Sequence, residues 1–324
     1  MTITHPGNAP WAGNGTPFDE AIGRGGVGYQ YSIGRMEVTS AQWVEFMNAA
    51  FDRPQSEWLP HLQVPTFWGG VATTPTTPGG RRWLTTPQSA NMPVGNITWR
   101  MAAMLCNWYE NGKSLERSAF LNGAYDVSTF GYTGPAGDIF TDQLAHTPGA
   151  HYWVPTWDEW LKAVHYDPAK VNEDGSVGGW WTQPNGTNTA LVYLPPDQGG
   201  QANANFFTPG PYSIPLAAYP GTVSPWGLLD AAGGSSEWLE TFESFTDGTR
   251  TRMLEGSCRG EYTSWADRLD GHTSDYPSIP DRAWGFRIAS SVPSPGGTIA
   301  LVAAWCWAGG RRRGMRGRRT VCAG

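Results

Sequence analysis

The chain has 324 residues, of which 15% are charged, with 18 Trp and 42 Gly. That length supports one domain of about 250 residues plus a tail, and so little charge with so much glycine favours an irregular α+β or β architecture over a helical bundle. The net charge is −6, but six arginines (Arg311, Arg312, Arg313, Arg316, Arg318 and Arg319) fall in the last 14 residues; without them 22 − 6 = 16 basic residues face 28 acidic ones, a balance of −12, which argues against nucleic acid as a partner.

Residues 1–27 hold Gly, Pro, Asn and Thr with no apolar run, which reads as a loop or a loosely ordered strand. They contain no basic n-region followed by an apolar h-region, so export would need a start further upstream. Tyr29–Met36 reads as a strand leading into Glu37-Val38-Thr39. Thr39 and Gln42 have capping-box spacing, and Val44, Phe46, Met47 and Phe51 supply the inward side of a helix of about three turns. Arg53–Gly80, rich in Pro, Gly and Thr, reads as a surface excursion.

Thr98 is the expected N-cap of a second helix. Met101, Met104, Leu105 and Trp108 form one face, a core stripe rather than a cofactor box, and Asn111-Gly112 ends it. Leu115–Gly149 is turn-rich, and Tyr152–Val154 reads as a short strand. Thr156 and Glu159 make another capping box, with Trp157, Trp160, Leu161 and Val164 inward and Asp167-Pro168 as the stop. His165 reads as a C-terminal histidine interacting with the helix dipole. Glu173–Asn205 is rich in Gly, Asn and Pro. Leu254–Arg287 reads as a strand, a long loop and a final strand.

Of the four cysteines, Cys306 and Cys322 lie in the tail, and Cys106 and Cys258 in the body. No disulfide framework follows, and whether the body pair joins is open. For iron, His5, His61, His146, His151, His165 and His272 are scattered without paired spacing. The aromatic content is consistent with a surface for a peptide or glycan.

Ser224–Trp238 (SPWGLLDAAGGSSEW) concentrates oxygen donors. Asp230, the carbonyls of Gly233 and Ser235, and Glu237 could face one point if the glycines bend the chain, and such hard oxygen donors suit Ca²⁺. The stretch is similar to the G-L-x-D-x-x-G-N-x-x-E-W signature of the formylglycine-generating-enzyme, or sulfatase-modifying-factor, family. Four other segments agree in order: Tyr31–Met47, Met92–Trp108, Tyr152–Ala163, and the pair Leu254–Ser257 with Trp284–Ala289. The resemblance covers roughly Gly28 to Ser290.

It implies a C-type-lectin-like α+β fold over residues 28–290, with few short helices and strands and many loops. It also implies a structural Ca²⁺ on Asp230, Gly233, Ser235 and Glu237. A second calcium site would use Asn205 and the carbonyl of Phe206, with Tyr219 near the place of its acidic partner. Family members that oxidise a sulfatase cysteine to formylglycine carry a cysteine pair, three residues after the serine of the penultimate strand and five residues further on. Counted from Ser257, those positions are Gly260 and Trp265, so copper, which needs the two thiolates, is not expected. Cys258 follows Ser257 directly, where strand alternation points it to the opposite face. His272 stands where the family commonly has an Arg, with Arg268 close by; either could be a polar anchor for the loop, but a solvated loop residue is the plainer reading and is favoured over a catalytic one.

The tail, residues 291–324, holds a Pro-Ser-Pro motif, the apolar run TIALVAAWCWAGG over 298–310 and the arginine cluster. It resembles a PEP-CTERM sorting signal, which implies an exosortase-like sorting partner, a membrane segment over 298–310 and an extracytoplasmic body at the cell surface. A dozen apolar residues reach ~18 Å as a helix, against ~30 Å of hydrocarbon, and the basic end belongs on the cytoplasmic side. The expectation is a surface-sorted, calcium-stabilised binding or structural module without formylglycine-generating activity. The alternative is a divergent oxidase of the same family acting on a cysteine in a sulfatase or other peptide.

Overall fold

Helix α1 (Ser40–Ala50) starts where Thr39 Oγ1 accepts from Gln42 N and Gln42 Oε1 accepts from Thr39 N, the expected capping box. Helix α2 (Trp99–Glu110) starts at Thr98, whose hydroxyl accepts from Met101 N. Every residue from Trp99 to Trp108 is buried, so α2 is a central helix packed on all sides rather than an amphipathic one with a single inward face. A short helix, α3 (Ser118–Leu121), follows in the stretch read as turns. Helix α4 (Trp157–His165) carries the second capping box, Thr156 with Glu159. Glu159 does more than cap, since its carboxylate also accepts from Tyr29 Oη at 2.8 Å and from Trp153 Nε1.

The computed structural model describes residues 1–14, 20–66, 68–73, 81–204, 214–258 and 264–292. One four-stranded antiparallel sheet has the order Thr2–Ile3, Tyr31–Ile33, Ala289–Ser291, Tyr152–Trp153. A second has the order Thr273–Asp275, Arg250–Glu255, Ser236–Ser244, Trp284–Gly285, with the last pair parallel. The register of Ser236–Ser244 on Arg250–Glu255 slips between Trp238 and Phe242, so side-chain alternation is lost there. The first sheet joins residues near both ends of Met1–Val292, which forms one compact unit. Its core is aromatic: the Trp43 and Phe46 rings lie 5.0 Å apart, and Phe46 meets Trp108 at 5.8 Å.

The α+β expectation, few helices with many short strands and loops, matches what is observed. His165 differs from its expected role. It is fully buried, its Nδ1 lies 3.1 Å from the Trp181 carbonyl, and burial pulls its pKa down to about 3. It is a neutral core residue, not a cation at a helix end. The chain leaves α4 directly into a strand, Tyr166–Val171, paired with Val177–Trp180, a hairpin hidden within the Gly- and Asn-rich composition. The tail from Pro293 onward, with its expected sorting motif and membrane segment, lies outside the described residues. Among the described residues no helix is long and apolar enough to cross a membrane.

Candidate functional site

The loop 224–238 is tied down before its acids are reached. Ser224 Oγ donates to Ala163 O at 2.9 Å and accepts from Leu228 N at 3.1 Å. Asp230 then adopts φ +57°, and Gly233 and Gly234 follow at +78° and +68°. A Cβ on Gly233 would stand 2.2 Å from Asn203 Oδ1, and one on Gly234 would stand 2.8 Å from Glu37 Oε1. Both positions therefore need glycine for conformation and for space. The freed amides are all used: Gly233 N donates to Ser257 Oγ, Gly234 N to Asn203 Oδ1 and Ser235 N to Glu37 Oε1.

Beside the acids of this loop the structure places an arginine. Arg287 Nε and Nη2 each lie 2.5 Å from an oxygen of Glu237, a buried bidentate pair. The same guanidinium donates to the carbonyls of Leu229 at 3.3 Å and Asp230 at 3.2 Å, while Trp160 Nε1 donates to Glu237 at 3.1 Å. Asp230 turns its carboxylate to Ala217 N at 2.9 Å, beside a small cavity lined by Pro93, Asn203, Leu216, Tyr219 and Gly234. Burial raises the Asp230 pKa to about 6. Glu37, also buried, is pushed well above the carboxylate range by burial and then by the charge of Glu237, and its Oε2 has no partner.

The expected ligands Asp230, Gly233, Ser235 and Glu237 thus lie on one loop, but Glu237 is committed to Arg287. In this arrangement both Glu237 oxygens are bonded to Arg287, whose guanidinium supplies a compensating positive charge beside the loop. Asn205 and Phe206, expected at a second calcium, lie outside the described residues. Tyr219 is buried and donates to Leu194 O at 3.1 Å.

The region that resembles the family's oxidase centre begins where Arg250–Glu255 ends. Gly256 takes φ +75° and turns the chain, so strand alternation does not reach Ser257 and Cys258 as expected. They differ in exposure all the same: Ser257 is fully buried and Cys258 half-buried. Ser257 N donates to Asp267 Oδ1 at 3.0 Å, and Asp267 Oδ2 accepts from Tyr193 Oη at 2.8 Å. Neither Cys106 nor Cys258 forms a disulfide. Gly260 lies outside the described residues, and Trp265 is 43% exposed in a short 3₁₀ turn, Ser264–Asp267. His272 sits against Trp157, ring centroids 4.8 Å apart, with its Nε2 between Glu243 and Glu20. Arg268 pairs locally with Asp270.

Glu37, Asp267, Glu243 and Glu20 were not singled out from the sequence. Glu37 had a signal, a lone acid in an apolar strand exit just before a capping box. Arg287 lay within the Trp-Gly-Phe-Arg match but without an assigned partner.

The model of the sulfatase-modifying factor enzyme 1-like domain matches residues 23–292. No curated protein matches the chain. Among solved structures, variable protein 1 of Treponema denticola is similar at 17% identity and TM-score 0.46, over 81% of this chain and 85% of that one. CarF is similar at 19% identity and TM-score 0.45, over 82% and 88%. PvdO from Pseudomonas aeruginosa is similar at 15% identity and TM-score 0.44, over 90% and 91%. With a family model spanning most of its length, and with the ordered motifs placed on an α+β frame, this chain belongs to the sulfatase-modifying factor enzyme 1-like (formylglycine-generating-enzyme) domain family.

Proposed function

We propose that this family member is a binding module for a peptide or glycan, sorted to the cell surface through its tail, that does not generate formylglycine. The observation that carries the reading is the identity of the residues at the two thiolate positions, Gly260 and Trp265. Glycine offers no ligand, and an indole offers a flat contact surface in place of a soft sulfur donor. The 43% exposure of Trp265 suits a contact role. Asp267 supports the same turn from beneath, by holding Ser257 N and Tyr193 Oη.

The test is to incubate the purified chain with Cu(I), oxygen, a thiol reductant and a cysteine-containing sulfatase peptide, and to follow the peptide by mass spectrometry. The expected result is unmodified peptide. Formylglycine above a protein-free control would overturn the reading in favour of a divergent oxidase, with Cys258 as the first residue to substitute.

A further inference from the structure

Among the described residues, one constellation away from the Arg287 loop gathers three metal-ligating side chains. His272 Nε2 lies 2.9 Å from Glu243 Oε1 and 2.9 Å from Glu20 Oε2, and the three ligand atoms all lie within 4.8 Å of one another. Glu243 belongs to the strand Ser236–Ser244, and His272 immediately precedes the strand Thr273–Asp275. Glu20 comes from the N-terminal segment, 252 positions before His272.

Two of the three are held rigidly. The His272 side chain is 10% exposed and packs on Trp157. Glu243 Oε2 accepts from Ser274 Oγ at 2.6 Å, and Ser274 Oγ accepts from Thr251 Oγ1 at 2.9 Å. That chain of hydroxyls is the outer support that orients a ligating carboxylate. The third, Glu20, is 69% exposed, which leaves one side of the triangle open to water.

Charge and proton count leave the protein-only arrangement incomplete. An imidazole carries one hydrogen at Nε2, which cannot point at two carboxylates at once. Doubly protonated, the ring offsets one of the two negative charges, and Nδ1, enclosed and without a partner, would hold a buried unpaired N–H. A divalent cation inside the triangle neutralises both carboxylates and uses the Nε2 lone pair. The Nδ1–H remains unpaired in that form too, which weakens the site about 10–100-fold relative to one with a completed outer shell. Adjacent ligands in an octahedral shell with ~2.1 Å bonds stand about 3.0 Å apart, close to the two observed separations.

We propose that Glu20, Glu243 and His272 form a binding site for a divalent first-row metal ion, Mn²⁺ or Zn²⁺, whose shell is completed by water. The imidazole selects against the all-oxygen ions Ca²⁺ and Mg²⁺. The bound ion fastens the segment carrying Glu20 to the edge of the second sheet. The site is independent of whether the domain modifies a peptide.

The test is calorimetric titration of the full chain, stripped with chelator, with MnCl₂ and with ZnCl₂. One saturable site is expected. Glu20→Gln, Glu243→Gln and His272→Gln should each weaken it at least tenfold, and Cys258→Ser should leave it unchanged. Glu20 is exposed, so Glu20→Gln keeps the fold, which an unchanged circular-dichroism melt would verify. No saturable binding at millimolar metal overturns the proposal and leaves an ion pair only. Binding that survives Glu20→Gln unchanged overturns the three-ligand site.

Discussion

Inside the protein, the Arg287 guanidinium donates to both oxygens of Glu237 and to the carbonyls of Gly34, Leu229 and Asp230. Two further acids, Glu37 and Asp230, feel the same charge. Removing one partner of a buried pair leaves an uncompensated charge, at a cost of about 3–5 kcal/mol, whereas replacing both by apolar groups is often tolerated. Arg287→Met should therefore lower the urea-unfolding free energy by about that amount, and the double variant with Glu237→Met should recover part of it. Adding CaCl₂ should leave the wild-type melting temperature in place; a calcium-dependent rise abolished by Glu237→Gln would restore the expected ion. The loop's ligands were legible because they fall within fifteen consecutive residues. The Arg287 partner of Glu237 was not, since it lies 50 positions away and pairing across loops leaves no local pattern.

Helices and strands differ in how they write themselves into the chain. Thr39–Gln42 and Thr156–Glu159 are capping boxes in sequence and in structure, because the hydrogen bonds involved close within three residues. The strands of the first sheet are two or three residues long, too short for period-two alternation to register. In the longest strand the slip between Trp238 and Phe242 erases it. Sequence also understates what Glu159 does. Thr156→Ala should cost about 1 kcal/mol, the usual value of an N-cap. Glu159→Ala should cost more, because it also strands the buried donor Trp153 Nε1, at about 1–3 kcal/mol for a buried donor left unpaired, whereas the half-exposed Tyr29 hydroxyl can turn to water. Urea midpoints of the two variants measure the difference.

For the molecule as a whole, these buried groups set a stability curve against pH. Glu37 and Glu255 are held well above the carboxylate range, in each case first by burial, and Asp230 at about 6. Glu255 accepts from Trp157 Nε1 on one oxygen and leaves the other without a partner. A carboxyl whose folded pKa is raised contributes stability that is complete below its unfolded value, near 4, and is lost as pH rises through the folded one. His165 acts on the other side. Its folded pKa is depressed to about 3, so its contribution is present above roughly 6.5 and is lost as pH falls. Melting temperature should therefore peak on the acid side of neutrality. Glu37→Gln should flatten the decline above the peak, and a Glu37→Gln protein that declines as steeply as wild type would exclude this origin.

The strand Ala289–Ser291 lies between Tyr31–Ile33 and Tyr152–Trp153 in the first sheet. A ribosome delivers that middle strand last. Until it emerges, the two flanking strands face each other across a missing row; Tyr31–Ile33 has only Thr2–Ile3 beside it and Tyr152–Trp153 has no neighbour in the sheet, while the locally capped helices can already form. Such closure over more than 250 positions is slow relative to helix formation. The first sheet therefore closes only once residue 291 is available, and until then its open row of backbone groups can be engaged by another strand or by a chaperone.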